Sequence, residues 1–350
     1  MPIFNYLKIK RKKQFYIIAE IGVNHECSIS KAKRMIYLAK KNGAHAAKFQ
    51  TYKARKLASR FSKAYWDTKK EKTKSQFELF SRFDRFDSKE YKILFKYCKK
   101  LKIDFLSTPF DLDAVDFLYP LVPAYKVASS DITNVPLLRK ISKKGKPVLL
   151  STGASNIREI KFAIRNLQYF KKVKIVLMHC ILNYPTKNSN ANLLMIKHLK
   201  SNFKNLVVGY SDHTLPSKDM INISTAYLLG ANVIEKHFTY NKKIKGNDHY
   251  HSMDSHDLKK VIDNINLINK ICGTSKNKKF LKSEKISRKN ARRSIFLKLD
   301  VRKNQKLNSN NLITLRPNSG IPSEKWIAVI NKKAKKNLKK GHKLEWGNFK

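Results

Sequence analysis

Eight short, nearly continuous apolar runs alternate with longer amphipathic stretches between residues 16 and 239, and this alternation limits the possible folds more than any other feature. The runs are "YIIAEIG" (16–22), "AAKFQT" (46–51), "DFLSTP" (104–109), "AYKVAS" (124–129), "PVLLST" (147–152), "KIVLMHC" (174–180), "LVVGYS" (206–211) and "NVIEKHFT" (232–239). Runs without polar alternation suit strands covered on both faces, as in parallel sheets. The intervening stretches carry helical periodicity. "ISKAKRMIYLAKKNG" ends in a glycine suited to a helix C-terminus, and "SKEYKILFKYCKKLK" opens on a serine suited to an N-cap. Eight strand–helix units over residues 1–273 fit an α/β fold, a (β/α)8 TIM barrel of the usual ~250 residues. A doubly wound sheet is the alternative, which periodicity does not separate.

Periodicity fades after Gly273. Residues 274–293 are rich in Lys, Arg and Ser and read as an exposed basic linker. Residues 294–350 carry short β-like runs broken by Asn, Gly and Pro, as expected of a small β-rich domain. A domain this small is expected to lean on the barrel or on another subunit. Residues 53–90 show no clear strand and read as a charged loop containing a helix.

The formal charge of +50 arises from 75 basic and 25 acidic residues. Such a charge attracts polyanions, but a nucleic-acid binder concentrates it in a stripe, whereas these lysines are spread through linkers and helix faces alike. No nucleic-acid partner is therefore expected. The four cysteines are far apart, with neither zinc spacing nor a disulfide scaffold, which fits a reducing cytoplasm. The basic start before "FYIIAEIGV" faintly mimics a signal peptide, but Glu20 interrupts the apolar run. No run approaches the ~20 apolar residues of a membrane span, so no membrane partner is expected.

Barrel chemistry gathers at the C-terminal ends of the strands. There the runs end in Glu20, Lys48 with Gln50, Thr108, Lys126 with Ser129, Ser151, Ser211 with His213, and His237. Singly, each has an ordinary structural role. Jointly, two lysines, a glutamate and two histidines aimed at one mouth form a site. Lys48 and Lys126 lie inside apolar strands, where an unpaired ammonium is costly. They require either a phosphate or carboxylate ligand, with Ser129, Ser151 and Ser211 as added donors, or pairing with Glu20 or Glu235. A barrel lysine also forms Schiff bases with carbonyls. His213 and His237, at neighbouring strand ends, suit a divalent ion acting as a Lewis acid.

The stretches "IIAEIGVNHECS", "AAKFQTY", "FLSTPFD", "AYKVASSDI", "KPVLLSTG", "HCILNYPT", "GYSDHT" and "IEKHFT" resemble the sialic acid (N-acylneuraminate) synthase family. "LITLRPNSGIP" resembles that family's C-terminal antifreeze-like (SAF) domain. The resemblance runs from about residue 14 to the end and implies a phosphoenolpyruvate-dependent transferase. Phosphoenolpyruvate and an open-chain N-acetylmannosamine-like sugar would give a nine-carbon 2-keto-3-deoxy acid and phosphate, by C–O cleavage. A legionaminate or pseudaminate synthase using a 2,4-diacetamido-trideoxyhexose is the near alternative, and a Schiff-base aldolase the distant one.

By motif position the resemblance implies Glu20, Lys48 and Lys126 as catalytic residues. Lys48, Lys126, Ser129, Ser151 and Ser211 would form the phosphoenolpyruvate cradle. His213 and His237 would hold a divalent ion, typically manganese, with magnesium or cobalt as alternatives. Gln50, Thr108, Tyr184 and Asp248 would contact the acceptor, as would Arg316, supplied to the partner subunit in a domain-swapped homodimer. Three departures fall on the acceptor side: Leu182 where some members carry a polar contact, Asn247 where proline is common, and a poor match over 53–90.

Overall fold

The computed structural model describes residues 15–66, 68–69, 71–246, 248–275 and 277–350, and the chain divides into two compact units after Gly273. In the first unit the order is β1 (Tyr16–Gly22), α1 (Ile29–Lys41), β2 (Ala46–Thr51), α2 (Ala54–Leu57), α3 (Gln76–Phe83), α4 (Ser88–Lys100), β3 (Asp104–Pro109), α5 (Leu112–Leu118) and β4 (Tyr125–Val127). It continues with α6 (Val135–Lys144), β5 (Val148–Ser151), α7 (Ile157–Leu167), β6 (Ile175–His179), α8 (Met195–Asn202), β7 (Val207–Asp212), α9 (Ile221–Leu228), β8 (Val233–His237) and α10 (Ser255–Ile271). The strands form one parallel sheet in the order β3-β2-β1-β8-β7-β6-β5-β4. β3 also lies beside β4, which rolls the sheet into a barrel rather than a doubly wound layer.

Two apolar layers explain the continuous strand runs. Tyr16, Ile18, Ala46, Leu106, Ala124, Leu149, Val176, Met178 and Val233 fill the barrel interior. Residues of the other parity, such as Ile17, Ala47, Phe105, Val148 and Leu177, pack outward against the helices. Gly209 is fixed by this packing: a Cβ would meet Met178 Sδ at 2.4 Å and the Val233 carbonyl at 2.5 Å. At the end of α1, Gly43 takes φ +96°, as a terminating glycine does.

Two local expectations are corrected. α4 is capped by Asp87, whose side chain closes a reciprocal capping box with Glu90; Ser88 is already the first helical residue. The stretch 53–90 holds two complete helices, α2 and α3, and the start of α4.

The second unit contains a helix, α11 (Lys285–Ala291), and the antiparallel pair β9 (Ser294–Leu297) and β10 (Leu312–Leu315). It has its own core of Ile295, Leu297, Val301, Leu307, Leu312, Val329 and Leu344. The described residues of the basic stretch 274–293 are exposed, but the stretch is not a bare linker. It is partly helical, and the Lys289 and Arg293 carbonyls accept from the Asn318 and Ser323 amides. No helix among the described residues is long and apolar enough to cross a membrane.

Candidate active site

Strand parity builds the site. Each strand adds inward residues in steps of two, and the apolar interior gives way to polar side chains at the C-terminal mouth. Ile18 is followed by Glu20, Ala46 by Lys48 and Gln50, Leu106 by Thr108, and Ala124 by Lys126. Leu149 is followed by Ser151, Gly209 by Ser211 and His213, and Val233 by Glu235 and His237. All but Gln50 are buried.

The two lysines are neutralised by carboxylates of the same ring. Lys48 Nζ lies 2.7 Å from Glu20 Oε2 and 3.7 Å from Glu235 Oε1, and donates to Thr108 Oγ1 at 3.1 Å. Lys126 Nζ lies 3.4 Å from Glu235 Oε1 and donates to Ser151 Oγ at 2.7 Å. Glu235 therefore stands between the lysines and also accepts from Ser211 Oγ at 3.1 Å. Gln50 donates to Glu20 Oε1 at 3.2 Å.

These contacts split the two carboxylates. Burial pushes the Glu20 carboxyl up, and Glu235 adds to that push against the pull of Lys48. Burial works on Glu235 in the same sense, but Lys126 and Lys48 overcome it and hold its carboxyl at about 2. For Lys48, burial favours the neutral amine, yet Glu20 and Glu235 prevail and raise its affinity for the proton. Glu235 was considered from sequence only as a possible neutralising partner. Its position two residues before His237, on the same strand face, was the available signal of a larger role.

A histidine-rich wall adjoins this ring. His213 and His237 have ring centroids 5.8 Å apart, and Tyr184 packs 4.3 Å from His213. His213 Nδ1 is bonded to the Ile181 carbonyl at 2.7 Å, which makes Nε2 its available nitrogen. Burial, then the neighbouring His237, lower the His213 pKa to about 4. His237 Nδ1 is 3.2 Å from Asp248 Oδ2. His251, absent from the sequence reading, completes a group with His237 and Asp248 whose donor atoms all lie within 4.8 Å of one another. It stands three residues beyond Asp248 in a turn after β8, so convergence on His237 depended on a loop that strand periodicity does not describe.

Ser129 takes no part in these contacts. Ser129 Oγ accepts from the Gly153 amide at 3.0 Å and pairs with Cys180 Sγ at 3.1 Å, on neither lysine. Arg316 is exposed in the second unit, next after β10. Asn183 is exposed beside Leu182, and Asn247 lies outside the described residues.

A barrel whose mouth combines paired lysines, two unlike carboxylates and a histidine cluster has the features of an enzyme active site. Residues 35–277 match the NeuB family and residues 292–350 match the SAF domain. The chain belongs to the NeuB family and is a carbon–carbon bond-forming synthase of the nonulosonic acid type. It is 40% identical over 333 residues to N,N'-diacetyllegionaminic acid synthase of Campylobacter jejuni, covering 93% of this chain and 98% of that one. It is 31% identical over 353 residues to pseudaminic acid synthase of the same species, covering 96% and 97%. The structure of N-acetylneuraminic acid synthetase from Leptospira borgpetersenii, in complex with citrate, superposes with a TM-score of 0.68 at 32% identity, over 78% of this chain and 90% of that one.

Proposed function

We propose that this enzyme joins C3 of phosphoenolpyruvate to the aldehyde carbon of an open-chain N-acetylmannosamine-like sugar. The observation that carries the proposal is the pair of buried lysines around Glu235, with the histidine wall beside them. Phosphoenolpyruvate would exchange places with the carboxylates on Lys48 and Lys126, so that its own charges meet the ammoniums, with Ser151 and Ser211 as donors. Glu20, whose carboxyl burial pushes up, is suited to hold a proton at the reacting end. As C3 attacks the aldehyde, the new C–C bond forms and water adds at C2. Phosphate then leaves with the bridging oxygen, and a 2-keto-3-deoxy acid remains.

The residues present fit a divalent ion. Both ring nitrogens of His251 are buried with no hydrogen-bond partner, and His237 Nδ1 meets only the Asp248 carboxylate, at 3.2 Å. Manganese, bound among His213, His237 and their neighbours, would supply Lewis-acid polarisation of the aldehyde oxygen. A Schiff base on Lys48 is disfavoured, because Glu20 and Glu235 keep that amine protonated whereas imine formation needs it neutral. The 2,4-diacetamido-trideoxyhexose acceptor is the second reading, favoured by the 40% identity to the legionaminic acid enzyme.

The test uses phosphoenolpyruvate labelled with ¹⁸O at the bridging oxygen, manganese, and a panel of N-acetylmannosamine and 2,4-diacetamido acceptors. Sugar-dependent release of phosphate that retains the label, with a matching 2-keto-3-deoxy acid, is expected. Release without any acceptor sugar, or loss of the label to the organic product, would overturn the reading.

A further inference from the structure

We propose that this chain carries a second binding site, for an organic anion with an apolar body, in a cavity beneath β2 and β3 at the end of the barrel opposite the active site. The cavity measures about 690 Å³ and lies against the last turns of α1 and α4 and the first residues of β3. Asp104, on its wall, and Thr108, in the catalytic ring, are four residues apart on β3, which separates the two sites by about 13 Å along the strand.

Two kinds of surface meet there. Ile103, Phe105, Leu121 and Val122, all buried, form an apolar base, with the half-buried ring of Phe95 beside them. Lys40, Lys99 and Lys102 are exposed around it. Volume and lining match the sites that take small organic ligands, where apolar walls supply contact area and a few polar groups fix orientation. Three ammoniums around one opening repel one another, and an anion among them relieves that repulsion. Asp104 is the one acidic residue among the described lining, and it already accepts from the Tyr16 hydroxyl.

Helix capping accounts for only part of this charge. Lys40 and Lys99 stand in the last turns of α1 and α4, where cations complement the helix dipole. Lys102 lies beyond α4. Its amide donates to the Lys99 carbonyl and the Ile103 amide to the Cys98 carbonyl, both at 3.1 Å, a double closure that ends a helix on a left-handed residue. Glycine or asparagine is usual at such a position, as Gly43 is after α1, but here a lysine takes φ +54°. The chain thus keeps a cation at the cavity where the backbone favours a residue without one. Lys40 Nζ donates to the Lys102 carbonyl at 2.8 Å, which ties the two sides of the rim together.

His45, also on the cavity wall, supplies a directional contact. Its Nδ1 accepts from the Ile17 amide at 3.0 Å, so Nε2 carries the proton. Burial lowers its pKa to about 4, which makes the ring a neutral donor at neutral pH. Tyr16 stacks on the ring at 5.3 Å and Phe15 meets it edge-on at 5.6 Å, so its orientation is set before any ligand arrives.

The probe is anilinonaphthalene sulfonate, an aromatic body carrying one anionic group, titrated by fluorescence into the full-length protein at 0.1 M salt. Saturable binding at one site per chain is expected, and excess phosphoenolpyruvate should not displace the dye. Reversing two rim charges, Lys99→Glu with Lys102→Glu, should weaken that binding about tenfold, because charges beside the ligand escape the screening that sets in beyond about 10 Å. Lys171→Glu with Lys172→Glu is an equal change of charge outside the cavity and should leave the affinity within about twofold of wild type. All four lysines are exposed, so both double variants are expected to fold, and their thermal midpoints check this. Absence of saturable dye binding, displacement by phosphoenolpyruvate, wild-type affinity in the rim variant, or equal weakening in both double variants would each overturn the second site.

Discussion

Lys236 offers the sharpest test of how the barrel holds its site together. Its parity is opposite to that of Glu235 and His237, so it points out of the barrel interior, yet it is only 1% exposed. Its ammonium donates to Asp212 Oδ2 at 2.8 Å and to the Thr214 carbonyl at 2.6 Å. The other oxygen of Asp212 accepts from Tyr210 Oη at 2.9 Å, the Thr214 amide at 2.9 Å and Thr214 Oγ1 at 2.7 Å. Lys236→Met keeps an unbranched side chain one heavy atom shorter and removes the charge. Oδ2 of a 2%-exposed carboxylate is then bare, and the Thr214 carbonyl loses its donor. Stranding one partner of a buried pair costs about 3–5 kcal/mol. Because the three donors on Oδ1 remain, the lower part of that range, about 3 kcal/mol, is expected. For a domain of this size the midpoint should fall by roughly 6–12 °C. Adding Asp212→Asn removes the stranded charge, so the double variant should be more stable than Lys236→Met alone. Thermal and urea unfolding of the three variants and wild type decide it. A Lys236→Met protein within about 0.5 kcal/mol of wild type, or a double variant less stable than the single one, would refute the ion-pair reasoning.

Burial lowers the His25 pKa to about 3. Between that value and the ordinary 6.5 the unfolded chain binds a proton the native one refuses, so its contribution is complete above pH 6.5 and lost as pH falls towards 3; the slope is about 1.4 kcal/mol per pH unit. His25→Phe, which keeps a ring against Phe86, should flatten the urea-derived stability between pH 6 and 4 by that slope; an unchanged slope would refute the assignment. Burial also pushes the Cys98 thiol well up, whereas Cys272 is exposed. A chromogenic disulfide at pH 8 should label Cys272 in the native state and Cys98 only after unfolding, read by peptide mapping. If Arg316 serves the partner's site in a domain-swapped homodimer, Lys126→Ala and Arg316→Ala are each inactive alone. After subunit exchange the mixture should recover about a quarter of wild-type activity, since half the dimers would contain one intact site of two. No recovery despite exchange confirmed by mass would refute the shared site.

The strands were legible because a doubly covered strand leaves a continuous apolar run, and the predicted runs overlap all eight observed strands. The inward polar ring was legible for a related reason: Glu20, Lys48, Lys126, Ser211 and His237 interrupt or end those runs. What stayed hidden lay in pairings between segments. Nothing local distinguishes Lys236, locked to Asp212, from Lys48 and Lys126, which meet Glu235; only parity counted from His237 separates them. Asp212 stands next to His213 in sequence, yet the ring of His213 is held by Ile181 and the Asp212 carboxylate by Tyr210, Thr214 and Lys236. The same logic explains His251. Strand-end residues announce themselves by interrupting hydrophobicity, whereas a loop histidine interrupts nothing and gains meaning only when the fold brings it to His237. Chemistry on the strands of such a barrel can therefore be read from a single sequence. Contributions from its βα loops, where relatives acting on different sugars are free to diverge, must be read from the closed geometry.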